Sequence, residues 1–283
     1  MRHGRIRCHD TGGGHDIAYT EWGAADNRRI VVCVHGLTRN ARDFDFLGQA
    51  LADDCRVICP DIAGRGDSDW LADSSLYAMP TYVADMITLI DNLGGGPVDW
   101  LGTSMGGLIG MALASHAPGL VGSMLINDIG PFIPKAALQR IHVYLSQALA
   151  FPTIDDAERH LRAAHAPFGP LTDKQWRHLT KHSVRRRDDG QWRMHYDPRI
   201  AGPFADGIDD DMELWQLWES IDCPVTVFRG KESDLLLEDT ARQMKIRGPK
   251  AKVIEFDGIG HAPALMSVEQ ISRVGDWLDA NAD

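Results

Sequence analysis

Cysteine is scarce here and poorly placed for cross-linking. The 283 residues hold five, namely Cys8, Cys33, Cys55, Cys59 and Cys223, an odd number with no C-x-x-C pair, so neither a disulfide framework nor a cysteine zinc or redox motif is expected. Cys55 and Cys59 would share one extended strand with Cα atoms roughly 13 Å apart, too far to bond; buried free thiols are the expectation. No run approaches the ~18 apolar residues of a membrane span. The basic start is followed by polar residues and glycines, not by the apolar core of a secretory signal, which points to a cytoplasmic protein with no membrane partner. Positive charge is in deficit, and the net charge of −11 argues against a nucleic-acid partner, whose phosphates reward clustered Lys and Arg. The cluster Arg185, Arg186 and Arg187 runs straight into Asp188 and Asp189 and reads as a solvated loop. His3, His9, His15 and Asp16 lie near one another in the chain, but no H-E-x-x-H or comparable spacing occurs, so no metal is expected. No glycine-rich dinucleotide fingerprint follows a strand, so no cofactor is expected either.

What is present is an ordinary globular composition, 44% hydrophobic and 24% charged, on a chain long enough for one α/β domain carrying an insertion. Two short strand-like runs around a Thr-Gly-Gly-Gly turn (residues 5–8 and 17–22) predict an antiparallel hairpin. Apolar β-branched runs at 30–34, 56–61, 98–101, 121–126, 224–228 and 252–256 read as strands buried on both faces. Helical periodicity between them, clearest over 81–93, 106–116 and 268–278, makes the fold class α/β, a mostly parallel central sheet flanked by helices. From 132 to 218 the rhythm changes to helical patterns (135–149, 154–165, 172–184 with Thr172 as N-cap, 212–220) with no convincing strand. This block reads as an inserted helical lid on a core formed by 1–131 and 219–283. Aromatics concentrate in it, at Trp176, Trp192, Tyr196, Phe204, Trp215 and Trp218.

The chemistry gathers at Gly102-Thr103-Ser104-Met105-Gly106-Gly107. A serine with glycines two residues away on each side, at a strand-to-helix junction, has the form of a nucleophile elbow: the turn is sharp, and only neighbours without side chains leave room for it. The N–H of Met105 would sit at a helix N-terminus, where unpaired donors favour negative charge. A serine needs a base, and the base needs an acid to fix its tautomer. His261, in the glycine-bounded loop 258–263 after the last strand, would lie at the carboxyl edge of the sheet, where open α/β folds bind ligands. For the acid, Asp234 follows the 224–228 strand and is preferred; Glu232 and Asp257 are nearby rivals, and Asp128, after the preceding strand, is the other serious candidate.

These features together resemble the α/β-hydrolase fold family, lid-bearing branch. The resemblance covers nearly the whole chain and rests on His35-Gly36, the Gly64-Arg65-Gly66-Asp67-Ser68 loop, the elbow, Asp234 and Gly260-His261, in the chain order serine, aspartate, histidine. It implies that the N–H of Leu37 joins that of Met105 in an oxyanion hole, that His35 is structural and not the base, and that Arg65 and Asp67 hold their loop. The expected activity is that of a serine hydrolase cleaving a small or medium acyl ester through an acyl-enzyme. Lactone, amide-type and diketo-acid carbon–carbon hydrolysis are served by the same triad, and anionic substrates would call on Arg39, Arg140 or Arg162. A reading of another class is a ligand receptor of hydrolase fold with little turnover.

Overall fold

The structure, a computed structural model, describes residues 1–11, 13–204 and 208–282. The chain opens with β1 (Arg2–Cys8) and β2 (His15–Trp22), paired antiparallel with Cys8 opposite His15. There follow β3 (Ile30–Val34), α1 (Asp45–Leu51), β4 (Arg56–Pro60), α2 (Met79–Asn92), β5 (Val98–Thr103), α3 (Met105–His116) and β6 (Val121–Asn127). Residues 132–219 contain β7 (Phe132–Ile133), α4 (Lys135–Leu145), β8 (Ala150–Phe151), α5 (Ile154–Ala164), α6 (Asp173–Ser183), β9 (Val184–Arg186), β10 (Trp192–Met194), β11 (Met212–Glu213) and α7 (Trp215–Glu219). The core resumes with β12 (Val225–Gly230), α8 (Glu238–Met244), β13 (Lys252–Phe256) and α9 (Val268–Ala280).

Eight strands form one sheet in the order β1-β2-β4-β3-β5-β6-β12-β13. From β4 onward every neighbour pair is parallel, so successive loops emerge at one carboxyl edge. Strands β3 to β6 are buried on both faces because helices cover both. One apolar cluster joins Val31, Cys33 and Leu101 to Phe44, Leu47 and Trp277 under α1 and α9. The other joins Val32, Trp100 and Ile126 to Met86, Ile109 and Met244 under α2, α3 and α8. All five cysteines are buried and free. Among the described residues no helix is long and apolar enough to cross a membrane.

Residues 132–218 differ from the expectation of helices alone. β8, β10 and β9 make a three-stranded sheet, and β11 pairs antiparallel with β7, Met212 opposite Ile133. Strands of two or three residues are too short to display alternation, so periodicity could not reveal them. Residues 212–213 are accordingly strand, and the helix begins at Trp215. The expected helix starts do occur: Thr172 accepts from the N–H of Gln175 while the Gln175 side chain accepts from Thr172 N–H, and Thr153 and Asp156 repeat this reciprocal cap on α5, satisfying donors that a helix start leaves open. The aromatics divide. Trp176 and Tyr196 are buried, whereas Trp218 joins the core and donates to Arg247 O at 2.9 Å. Trp215 lies under the Arg247 guanidinium at 3.9 Å, also on the core side; the Phe204 side chain lies outside the described residues.

Candidate active site

The elbow is as tight as its glycines require. Ser104, between β5 and α3, has φ 53° and ψ −115°, an uncommon conformation for a residue with a side chain and a form of strain that recurs at functional turns. Its N–H donates to Asn127 O at 2.9 Å. Asn127 in turn donates from Nδ2 to Thr103 Oγ1 at 3.1 Å and Pro263 O at 2.8 Å, so one buried amide ties the elbow to the loop that carries His261. Sequence reading passed over this residue, for nothing marks an asparagine at a strand end as a bridge.

His261 and Ser104 are brought together, with His261 Nε2 2.9 Å from Ser104 Oγ. The carboxylate on the other side of the imidazole is Asp128 and not Asp234. Asp128 Oδ2 lies 2.8 Å from His261 Nδ1 and accepts from Ser233 Oγ at 2.6 Å, while Oδ1 accepts from Gly230 N–H at 2.8 Å. Asp128 is fully buried. Asp234 is 56% exposed and pairs with Arg140 of α4 at 2.8 Å. The reason is topological: Asp128 leaves the end of β6, which is hydrogen-bonded to β5 on one side and β12 on the other, whereas the chain after β12 has turned outward by residue 234. Of the rivals, Asp257 is exposed and pairs with Lys231.

The loop after β3 faces the elbow. A Cβ on Gly36 would lie 3.6 Å from Ser104 Cβ, so Leu37 stands beside the nucleophile. Among the described residues the N–H groups of Leu37 and Met105 meet no protein acceptor, leaving both available to a ligand oxygen. Arg65, fully buried between the rings of Tyr77 and Tyr82, donates to Leu37 O at 2.9 Å and reaches Met105 Sδ at 3.6 Å. One cation thus braces both residues.

His35 braces the same loop. Its Nδ1 donates to Gly36 O at 2.7 Å and its Nε2 accepts from Ile62 N–H at 3.0 Å, which requires the neutral ring. Burial, with a smaller push from Arg65, lowers its pKa to about 4. A folded-state pKa depressed below the ordinary 6.5 means stability that is present above pH 6.5 and lost as pH falls through 4, about 3 kcal/mol in all. Urea unfolding at pH 7 and pH 4 should show that loss, and a smaller one in a His35→Ala variant; equal losses in the two proteins would contradict it.

Two clusters gather metal-type ligands, Cys8 with His15 and Asp85, and Asp45 with His178 and His182. His15 is bonded on both nitrogens, to Asp10 at 2.8 Å and Asp85 at 3.0 Å, and His178 Nε2 is engaged by Arg42 O at 2.9 Å. Neither cluster includes Ser104 or His261. The three arginines considered for an anionic substrate are also engaged: Arg39 with Asp43 and Ser183, Arg140 with Asp234, Arg162 with Glu158 and Asp173.

Residues 31–274 match the model of the alpha/beta hydrolase family. The chain belongs to this family. A 3-hydroxybutyrate-oligomer hydrolase of Cupriavidus necator is 44% identical over 279 residues, 96% of this chain and 95% of that protein. An esterase of Mycobacterium tuberculosis is 29% identical over 236 residues, 80% of this chain and 73% of its own. A crystal structure of a Rickettsia typhi protein superposes with a TM-score of 0.94 at 34% identity, covering both chains completely. The fold, the mostly parallel sheet with its N-terminal antiparallel hairpin, and the assignment of the protein as a hydrolase accordingly stand.

Proposed function

We propose that this hydrolase cleaves short hydroxyacyl esters through an acyl-enzyme on Ser104, with His261 as general base and Asp128 as the residue that positions it. The observation that carries the reading is the unbroken chain Ser104 Oγ, His261 Nε2, His261 Nδ1, Asp128 Oδ2, with links of 2.9 and 2.8 Å. With Nδ1–H donating to a buried carboxylate, Nε2 carries the lone pair and accepts the serine proton as Oγ attacks the ester carbonyl. The tetrahedral oxyanion is received by the N–H groups of Leu37 and Met105. His261 then hands its proton to the leaving alkoxide, and the same base activates water to release the acid.

Residues 132–218 act as a lid over this site, with 1–131 and 219–283 as the core. A small cavity of about 40 Å³ adjoins Thr103 and Ala262, the neighbours in sequence of Ser104 and His261, with Phe168, Leu179 and Met266 in its apolar lining and His35, Arg39 and Asp43 in its polar lining; its size favours a short acyl group. Arg39, Arg140 and Arg162 are engaged and do not serve a carboxylate on the acyl side of the scissile bond, which disfavours a diketo acid, whereas the terminal carboxylate of an oligoester sits on the leaving group. The activity named for the C. necator relative, 44% identical, makes oligoesters of short hydroxy acids the preferred substrate.

A fluorophosphonate probe tests the mechanism and a set of esters tests the substrate. The expected result is stoichiometric labelling at Ser104, abolished by Ser104→Ala, together with repeated turnover of 3-hydroxybutyrate dimers and trimers. Slow labelling with less than about one turnover per chain would favour the receptor reading.

A further inference from the structure

The lid presents polar groups whose hydrogen bonds the protein does not complete. Among the described residues the hydroxyl of Tyr144 and Nε2 of His165 are buried atoms that complete no hydrogen bond of full geometry. Buried polar atoms in native proteins are almost always bonded, and an unpaired one costs free energy that a ligand can recover. Two such atoms, on different elements, converge on one place.

Tyr144 is on α4, and its hydroxyl stands near Arg39 and faces the Thr38 side chain in a contact that falls short of full hydrogen-bond geometry. Thr38 directly follows Leu37, so Tyr144 approaches from the oxyanion side. His165 ends α5 and approaches from the other side. Two residues beyond it Pro167 O accepts from Gly260 N–H at 2.8 Å, and Gly260 precedes His261. The two lid rings lie 6.4 Å apart, and the face of His165 is stacked on Phe168 with centroids 4.6 Å apart. Phe168 also borders the small cavity beside Thr103. Tyr144 therefore lies on the side of Thr38, next to Leu37, and His165 on the side of His261, with the two rings facing each other between them.

The chemistry of the pair narrows the ligand. Burial holds the His165 pKa well below 6.5, and the neighbouring Arg39, His160 and His261 push it the same way. The imidazole is neutral, and it offers one donor and one acceptor. Tyr144 likewise offers a neutral donor and acceptor. The nearby Arg39 guanidinium is held by Asp43 and Ser183. Neutral groups of this kind suit an uncharged oxygen function better than a carboxylate.

We propose that Tyr144 and His165 form a subsite for a second oxygen on the acyl chain, the hydroxyl or the next ester carbonyl of a 3-oxygenated acyl group, and that this pair makes the enzyme prefer hydroxyacyl over plain alkanoyl esters. The proposal rests on the Ser104 ester-hydrolase reading and adds the residues that choose the substrate. A plain acyl chain leaves both buried groups unpaired, and sites built to bond a substrate hydroxyl discriminate for that reason.

The test compares kcat/KM for p-nitrophenyl 3-hydroxybutyrate and p-nitrophenyl butyrate, which share a leaving group. The ratio of the two is independent of the folded fraction, so it reports recognition even if a variant is less stable. Wild type is expected to favour the hydroxy ester by at least about 10-fold, and Tyr144→Phe and His165→Phe are each expected to lower the ratio about 10-fold, the effect of one hydrogen bond. Val143→Ala, at an exposed position of the same helix, should leave the ratio as it is in wild type. A wild-type ratio near one, or a ratio within twofold of wild type in both ring variants, overturns the subsite. Retention of both activities by Ser104→Ala overturns the catalytic reading beneath it, so the two failures are distinguishable.

Discussion

Asp128→Asn is expected to lower kcat about 10⁴-fold, while Asp234→Asn stays within twofold of wild type. The first figure is the usual effect of removing the carboxylate from such a triad while keeping its shape. The mechanism is specific to the contacts here. The carbonyl oxygen of the substituted amide can keep the bond from Gly230 N–H, so the loop stays in place. The amide nitrogen then occupies the position of Oδ2, facing Ser233 Oγ and His261 Nδ1, the two groups now 2.6 and 2.8 Å from that oxygen. An N–H pointing at Nδ1 makes that nitrogen the acceptor and places the ring proton on Nε2, where it blocks transfer from Ser104. Removing the negative charge also disfavours the imidazolium, so the acid limb of the residual kcat/KM profile should move to lower pH. A stability role alone would leave that limb in place and lower the Tm instead. Asp234 has no comparable leverage, because its partner is Arg140 across an exposed ion pair, and such pairs contribute little. Near-wild-type activity in Asp128→Asn, or a large loss in Asp234→Asn, would return the acid to the residue favoured by sequence.

The contrast between the two aspartates shows where sequence reading reaches its limit. Both follow a parallel strand, both are therefore placed at the carboxyl edge, and the order serine, aspartate, histidine is satisfied by either. What separates them is the distance from the strand end and the direction of the loop, and neither has a local signature. Ser104 was legible because glycines on both sides announce a tight turn at a strand end, and His261 because Gly258 and Gly260 precede it just after another strand. The sheet was legible because its strands are continuous apolar runs. Within residues 132–218, the capped helix start at Thr172 was legible and the cap at Thr153 was passed over, while the strands from Phe132 to Glu213 leave no period to detect. Asn127, Arg65 and the lid pair Tyr144 and His165 were invisible as functional residues, since their roles depend on partners met, or left unmet, far along the chain.

Gly106→Ala should destabilise the protein by more than about 3 kcal/mol, which lowers the Tm by roughly 6–12 °C in a chain of this class, and should abolish most activity in the fraction that folds. The added Cβ would lie 2.1 Å from Val34 O and 2.6 Å from Val34 C, distances that no real contact allows. Relief cannot come from a side-chain rotation, because the atoms struck are backbone. Nor can β3 retreat, since it is hydrogen-bonded to β4 on one side and β5 on the other. The helix must move, and the usual cost of overpacking is exceeded when a backbone layer has to shift. Moving α3 displaces the N–H of Met105, its first residue, from the oxyanion position, and loss of one such donor costs about 3–4 kcal/mol of transition-state stabilisation. Gly275→Ala supplies the comparison within the same protein. Gly275 lies inside α9 with open space where a Cβ would stand, so alanine there should stabilise by about 0.5–1 kcal/mol through helix propensity alone. If thermal unfolding showed the two substitutions to be equivalent, the close approach of α3 to β3 would not be what holds the elbow in its strained turn; opposite signs would show that the glycines at the elbow are there for contact, and that the turn presenting Ser104 is set by the sheet beneath it.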